Sequence, residues 1–145
     1  MGVHVVGRGF MPPASATNFG GGVGLELTPG APTDLSRFTG ISFWAESGPF
    51  GDIISDILVE ISTTDTDPTY CKCLSAGNCS SSYFFLLKEV PMSESKFTVK
   101  WTDLKQSGIG TPVRFDPTQV LKIMFASNGP VPYFNYWIDE VSVTK

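Results

Sequence analysis

The most constraining feature of this chain is a period-two alternation of apolar and polar residues, confined to short runs between clusters of turn formers. Val23, Leu25 and Leu27 alternate with Gly24, Glu26 and Thr28. Ile41, Phe43 and Ala45 alternate with Ser42, Trp44 and Glu46, and Ile57, Val59 and Ile61 with Leu58, Glu60 and Ser62. The same holds for Phe97, Val99 and Trp101, and for Leu121, Ile123 and Phe125. Side chains of a strand point alternately to its two faces, so each run predicts a strand with one apolar side. Val3 to Val6, Tyr83 to Lys88 and Phe134 to Val143 complete a set of about eight strands. No segment carries a helical stripe. Only single turns are expected near Thr102 to Gln106 and at Asp116-Pro117, where Pro suits a first helical position. Alternation rather than continuous apolar runs favours antiparallel sheets with one solvated face each, hence an all-β antiparallel sandwich.

At 145 residues the chain is expected to form one domain, residues 1–145, with a single core. Charged residues make up only 17% and the net charge is −4, so there is no basic footprint for nucleic acid, and neutral ligands are favoured over anionic ones. No apolar run approaches the roughly 20 residues of a membrane-spanning helix. Met1 to Arg8 does not have the pattern of a signal peptide, so any export signal is expected outside this sequence.

Catalytic constellations are sparse. Nucleophilic acyl transfer needs a base beside Ser or Cys, and the one histidine, His4, sits on a predicted strand near the chain start. Glycoside hydrolysis needs two placed carboxylates. Asp52, Asp56, Glu60, Asp65 and Asp67 offer several, but Asp65-Thr66-Asp67-Pro68 has the composition of an Asx-type turn. Gly20-Gly21-Gly22 precedes a strand rather than a helix, so it is no phosphate loop.

Cys71, Cys73 and Cys79 lie in one long loop. In a β-rich, charge-poor chain they suggest an oxidising, secretory setting and a disulfide. Cys71 and Cys73 are too close for an unstrained bridge, so Cys79 pairs with one of them, with Cys71 preferred. A bridge across so short a loop contributes about 2–3 kcal/mol in the loop-entropy picture. Cys73 is then free or links two chains. The competing arrangement is a zinc site of the three cysteines with His4, although no Cys-x2-Cys knuckle is present.

Several segments follow one another in a telling order. Phe38-Thr39-Gly40-Ile41-Ser42-Phe43-Trp44-Ala45 comes first, then Thr64-Asp65-Thr66-Asp67-Pro68, then Phe97-Thr98-Val99 with Trp101 and Asp103-Leu104-Lys105-Gln106. Phe115-Asp116-Pro117 and Trp137-Ile138-Asp139-Glu140-Val141 follow. This order resembles the carbohydrate-binding modules of bacterial plant-cell-wall-degrading enzymes, in the jelly-roll, galactose-binding-like group that includes family 11. The resemblance covers nearly the whole chain. It implies a jelly-roll sandwich that binds a neutral polysaccharide, is secreted by a bacterium and holds an appended glycoside hydrolase at its substrate.

Two departures stand out. Such modules have a further strand before a segment like Val3 to Phe10; its loss would open a sheet edge to pairing with a second copy, a homodimer. Relatives often carry Trp where Ile109 stands. The resemblance also implies a structural calcium in which Asp139 takes part; the other reading of Asp139 is an exposed acid at a strand end.

Sugar binding needs flat apolar area for C–H faces and polar groups for hydroxyls. Alternation turns Trp44 outward between Ser42 and Glu46, and Trp137 outward between Asn135 and Asp139, so the two tryptophans are candidates for a platform. The outer face of the other sheet is the second candidate. It is expected to show Glu60, Ser62, Lys122 and Met124, flanked by Tyr70 or Tyr83. Tyr83 and Phe84 are neighbours, so one of them points in and the other out. Trp101 is expected in the core. The expected function is non-catalytic binding of a β-glucan or a hemicellulose such as xyloglucan. The alternatives are an assembly or adhesion module joined at an open edge, and a small carboxylate-based glycoside hydrolase.

Overall fold

The computed structural model describes residues 2–10, 21–48, 56–70, 81–106, 112–127 and 131–145. The cysteine loop, Asp52 and Ile109 lie outside the described residues, as do the expectations attached to them. The strands are β1 (Val3–Phe10), β2 (Gly22–Glu26), β3 (Gly40–Ser47), β4 (Ile57–Thr63), β5 (Tyr83–Leu87), β6 (Ser95–Lys100), β7 (Lys105–Gln106), β8 (Val120–Ser127) and β9 (Val131–Thr144). Eight match the strands expected from alternation; the two-residue β7 is too short to show a period. The two expected turns are 3₁₀ turns at Trp101–Asp103 and Pro117–Gln119. Asp116 caps the second, accepting from the Thr118 backbone N–H at 2.9 Å and the Thr118 hydroxyl at 2.8 Å.

The chain pairs from its ends inward. β1 pairs with β9, β2 with β8, β3 with β6 and β4 with β5, all antiparallel. This nested ribbon rolls into two sheets, ordered β1-β9-β3-β6 and β2-β8-β4-β5-β7. Rolling such a ribbon into two facing sheets produces the jelly-roll sandwich.

Between the sheets lies one core. Ile41, Phe43, Ala45, Val99, Phe134, Tyr136 and Ile138 come from the four-stranded sheet; Ile57, Val59, Ile61, Ile123 and Phe125 come from the five-stranded one. Phe43 and Phe125 meet edge to face across the interface, with centroids 4.8 Å apart. Tyr136 spans it as well, donating its phenol hydrogen to the Phe125 carbonyl at 2.9 Å. Burial pushes that phenol well above the ordinary tyrosine range. Trp101 packs against the core as expected and donates its indole N–H to the Phe38 carbonyl at 2.8 Å.

β9 changes phase along its length, because Phe134, Tyr136 and Ile138 face inward but so does Val141. An even-to-odd switch needs one extra residue. The register supplies it: Ser42 opposes Ser142 and Trp44 opposes Asp139, leaving Glu140 and Val141 against Phe43 alone. Glu140 takes a left-handed backbone, φ 47°, at this bulge.

Candidate functional site

Register turns alternation into rows of side chains. On the outer face of the five-stranded sheet, Gly24 opposes Met124, Met124 opposes Glu60, Glu60 opposes Phe84 and Phe84 opposes Lys105. One row thus crosses all five strands, a span of roughly 19 Å at the usual strand spacing. Met124, Glu60 and Phe84 are half-buried, while Gly24 and Lys105 are exposed. A Cβ on Gly24 would meet nothing within 4 Å, so the β2 end of the row is open at that point.

Glu60 sits in the middle of this row. Burial among its neighbours raises its carboxyl above the ordinary glutamate range, opposed by the positive charge of Lys122. Lys122 itself lies nearest Asp67, at 3.6 Å. A carboxylate losing solvent with no hydrogen-bond donor among the described residues is poised to accept one from a ligand hydroxyl.

Beside the row, Glu26, Thr28, Gly30, Ala31, Asp67, Thr69, Tyr70, Leu121 and Lys122 line a groove of about 360 Å³. The turn expected at Asp65 to Pro68 builds its wall. Asp67 accepts the Thr69 N–H on its carboxylate at 2.9 Å, and its backbone carbonyl accepts from Tyr70 at 3.1 Å. Those bonds fix the backbone that carries Tyr70, whose side chain is exposed. Glu60, Met124 and Tyr70 therefore share this face of the molecule.

Tyr83 does not belong to it. Glu60 lies opposite Phe84, so Phe84 points outward and Tyr83 inward, 4% exposed. Its phenol donates to the Val113 carbonyl at 2.9 Å and its ring meets Phe115 edge to face at 5.0 Å. Burial, together with the charges of Asp65 and Asp116, pushes its pKa up to about 12. Alternation leaves open which of the two neighbours points outward; pairing with β4 gives that position to Phe84, so the binding candidate Tyr83 is instead a core residue. Two of the carboxylates weighed for hydrolysis hold backbone: Asp56 accepts the Glu89 N–H at 3.1 Å, and Asp67 accepts the Thr69 N–H of its turn.

The opposite face gathers the tryptophans. Trp44 opposes Asp139, and Glu46 opposes Trp137, so the indoles occupy one diagonal of a four-residue square and the carboxylates the other. Both indoles are half-buried and line one pocket. His4, on neighbouring β1, opposes Trp137 and stacks on it with centroids 4.1 Å apart and planes 3° from parallel.

Asp139 was the expected calcium ligand. Its carboxyl is held below the usual aspartate range, first by the Glu140 N–H, accepted at 2.7 Å. Among the described residues no group of three His, Cys, Asp or Glu side chains converges on a metal position.

The architecture and the two faces define the class as a jelly-roll sandwich with polar-and-aromatic outer faces. No family model matches the sequence, and no curated protein matches it. Solved structures do match. The family 11 carbohydrate-binding module of the cellulosomal cellulase Lic26A-Cel5E of Clostridium thermocellum superposes with a TM-score of 0.54 over 99% of this chain and 86% of that one, at 11% identity. A family 11 module from the same organism, in complex with a β-1,3-1,4-mixed-linked tetrasaccharide, gives 0.54 over 99% and 83%, at 12% identity. The chain therefore has the fold of family 11 carbohydrate-binding modules.

Proposed function

We propose that this chain is a non-catalytic carbohydrate-binding module. It takes a neutral plant-cell-wall polysaccharide, a β-glucan or a hemicellulose such as xyloglucan, across the outer face of the five-stranded sheet. Binding there holds an appended glycoside hydrolase near its substrate, outside a bacterial cell. The row Gly24–Met124–Glu60–Phe84–Lys105 carries this reading. It offers apolar area for sugar C–H faces and, at its centre, a carboxylate free to accept hydroxyl hydrogen bonds. The fold it shares with modules that include one bound to a mixed-linked tetrasaccharide supports it. A Cys71–Cys79 bridge belongs to the same secreted setting.

Native affinity electrophoresis tests the proposal against barley β-glucan, xyloglucan, xylan, mannan and an uncharged non-glycan polymer. Retardation by one glycan class, lost in a folded Tyr70→Ala or Glu60→Ala variant, is the expected result. Mobility unchanged by every glycan would end this reading.

A second reading, assembly through an open edge, draws on β1. It is the outer strand of its sheet among the described strands, and Val6 is 54% exposed. Concentration-dependent dimerisation in sedimentation, without retardation by any glycan, would favour it.

A further inference from the structure

We propose that the outer face of the four-stranded sheet carries a second and separate saccharide site, which takes a single sugar ring bearing a protonated amine. Its floor is the indole pair Trp44 and Trp137, and its rim is Glu46, Glu94 and Asp139 around a pocket of about 140 Å³. That volume is well below the range of roughly 300–1,000 Å³ usual for larger ligands, and it suits one ring rather than a chain.

Three observations converge on this site. The first is placement: on the β3–β9 ladder, Trp44 and Trp137 alternate with Glu46 and Asp139 around one square. Diagonal neighbours on a sheet are about 7–8 Å apart, within reach of aromatic side chains. Apolar and hydrogen-bonding surface then alternate on the scale of one sugar ring.

The second is preorganisation. His4 stacks on Trp137, and its Nε2 lies 2.7 Å from Oδ1 of Asn135, which is 4% exposed. The Asn135 backbone is in turn tied to the residue that follows β3, its carbonyl accepting the Gly48 N–H at 2.9 Å. The plane of Trp137 is thus fixed before a ligand arrives, which lowers the ordering cost of binding.

The third is charge. The pocket is lined by three carboxylates; Asp139 is already engaged, while no hydrogen bond among the described residues engages Glu46 or Glu94. An ammonium beside two indole faces and two carboxylates gains from both the ring quadrupoles and the charges. A uronic acid would be repelled, and a neutral hexose would lack the ionic contribution.

The site does not depend on the polysaccharide reading of the opposite face, and its test is separate. The chain has three tryptophans, and none lies on the outer face of the five-stranded sheet: Trp44 and Trp137 line this pocket, and Trp101 packs on the core. Intrinsic fluorescence therefore reports on this pocket. Titration of the full chain with glucosamine, glucose and glucuronate is expected to give a saturable change with glucosamine, at least tenfold weaker binding of glucose and none of glucuronate. Trp44→Ala and Glu94→Gln should each weaken glucosamine binding at least fivefold while leaving retardation by glycans on the other face unchanged. Glu94 is exposed, so its variant reads the site even where Trp44→Ala fails to fold. No saturable response to glucosamine, equal binding of glucose, or a response untouched by Glu94→Gln would each overturn the proposal.

Discussion

The two outer faces of the sandwich arise from the same alternation, yet they differ in what their strands place side by side. The four-stranded face holds two tryptophans, and one of these already has His4 stacked on it. The five-stranded face holds no tryptophan, but it has a row across every strand and a groove of about 360 Å³ beside it. Aromatic content alone points to the first face. Length of the row, an open end at Gly24 and the uncommitted Glu60 point to the second for a polymer. A chain ligand needs continuous surface, whereas one fixed indole square suits a single ring.

The largest test strikes what both faces share. Phe43 lies fully buried beneath the four-stranded face and meets Phe125 of the other sheet. Phe43→Ala is expected to cost about 3–5 kcal/mol, read in a denaturant melt, and to weaken binding on both faces together. Loss of one face alone would show that the two sheets are less coupled than their common core implies.

Tyr70→Ala separates the faces. It should weaken polysaccharide retardation by about 1 kcal/mol or more, at least fivefold, with the melting temperature unchanged. Trp44→Ala should leave that retardation intact. The reverse result would move the polymer to the tryptophan face. Gly24→Val sharpens the same contrast from the opposite direction. The position is open and carries no positive φ, so the fold should tolerate a side chain and even gain roughly 0.5 kcal/mol, while the polymer loses the end of its row. Unaltered retardation by Gly24→Val would shorten the proposed row by one strand.

Glu60→Gln tests the row through pH. The folded state raises the Glu60 carboxyl above its unfolded value, so folding favours the protonated form. Below the ordinary glutamate value both states are protonated and the wild type loses nothing. As pH rises through the raised folded value, ionisation at a half-buried position lowers stability. Glu60→Gln should therefore melt slightly higher than wild type at neutral pH, with the gap closing in acid. A gap that widened in acid would mean that Glu60 is stabilised as a carboxylate. The smallest expected effect is that of chelation: EDTA should leave the melting temperature within about one degree, because no group of three His, Cys, Asp or Glu side chains among the described residues could hold a metal ion. A fall of several degrees, reversed by calcium, would show a site completed by other oxygens.

Much of this was legible from one-dimensional pattern. The inward sets of β2, β3, β4, β6 and β8, the turn opened by Asp116-Pro117 and the turn at Asp65 to Pro68 were all expected from residue types at fixed offsets. The strand at Tyr83 to Leu87 was expected but its inward set was not, because Tyr-Phe-Phe-Leu-Leu is apolar throughout and has no phase of its own. Only its pairing to β4, with Phe84 set against Glu60, decides which ring is buried. β7 was missed for the opposite reason: two residues carry no period.

Sequence by itself determined the class of the fold and the face on which most residues lie, because both follow from alternation along a strand. It placed Trp44, Trp137, Glu60 and Met124 outward without saying which of them are neighbours. Tertiary structure decided that, since adjacency across a sheet depends on strand order and register, which join residues as far apart as Gly24 and Met124 or His4 and Trp137. It also moved the phase of β9 by one residue at Glu140, where a left-handed backbone angle brings Val141 back to the core.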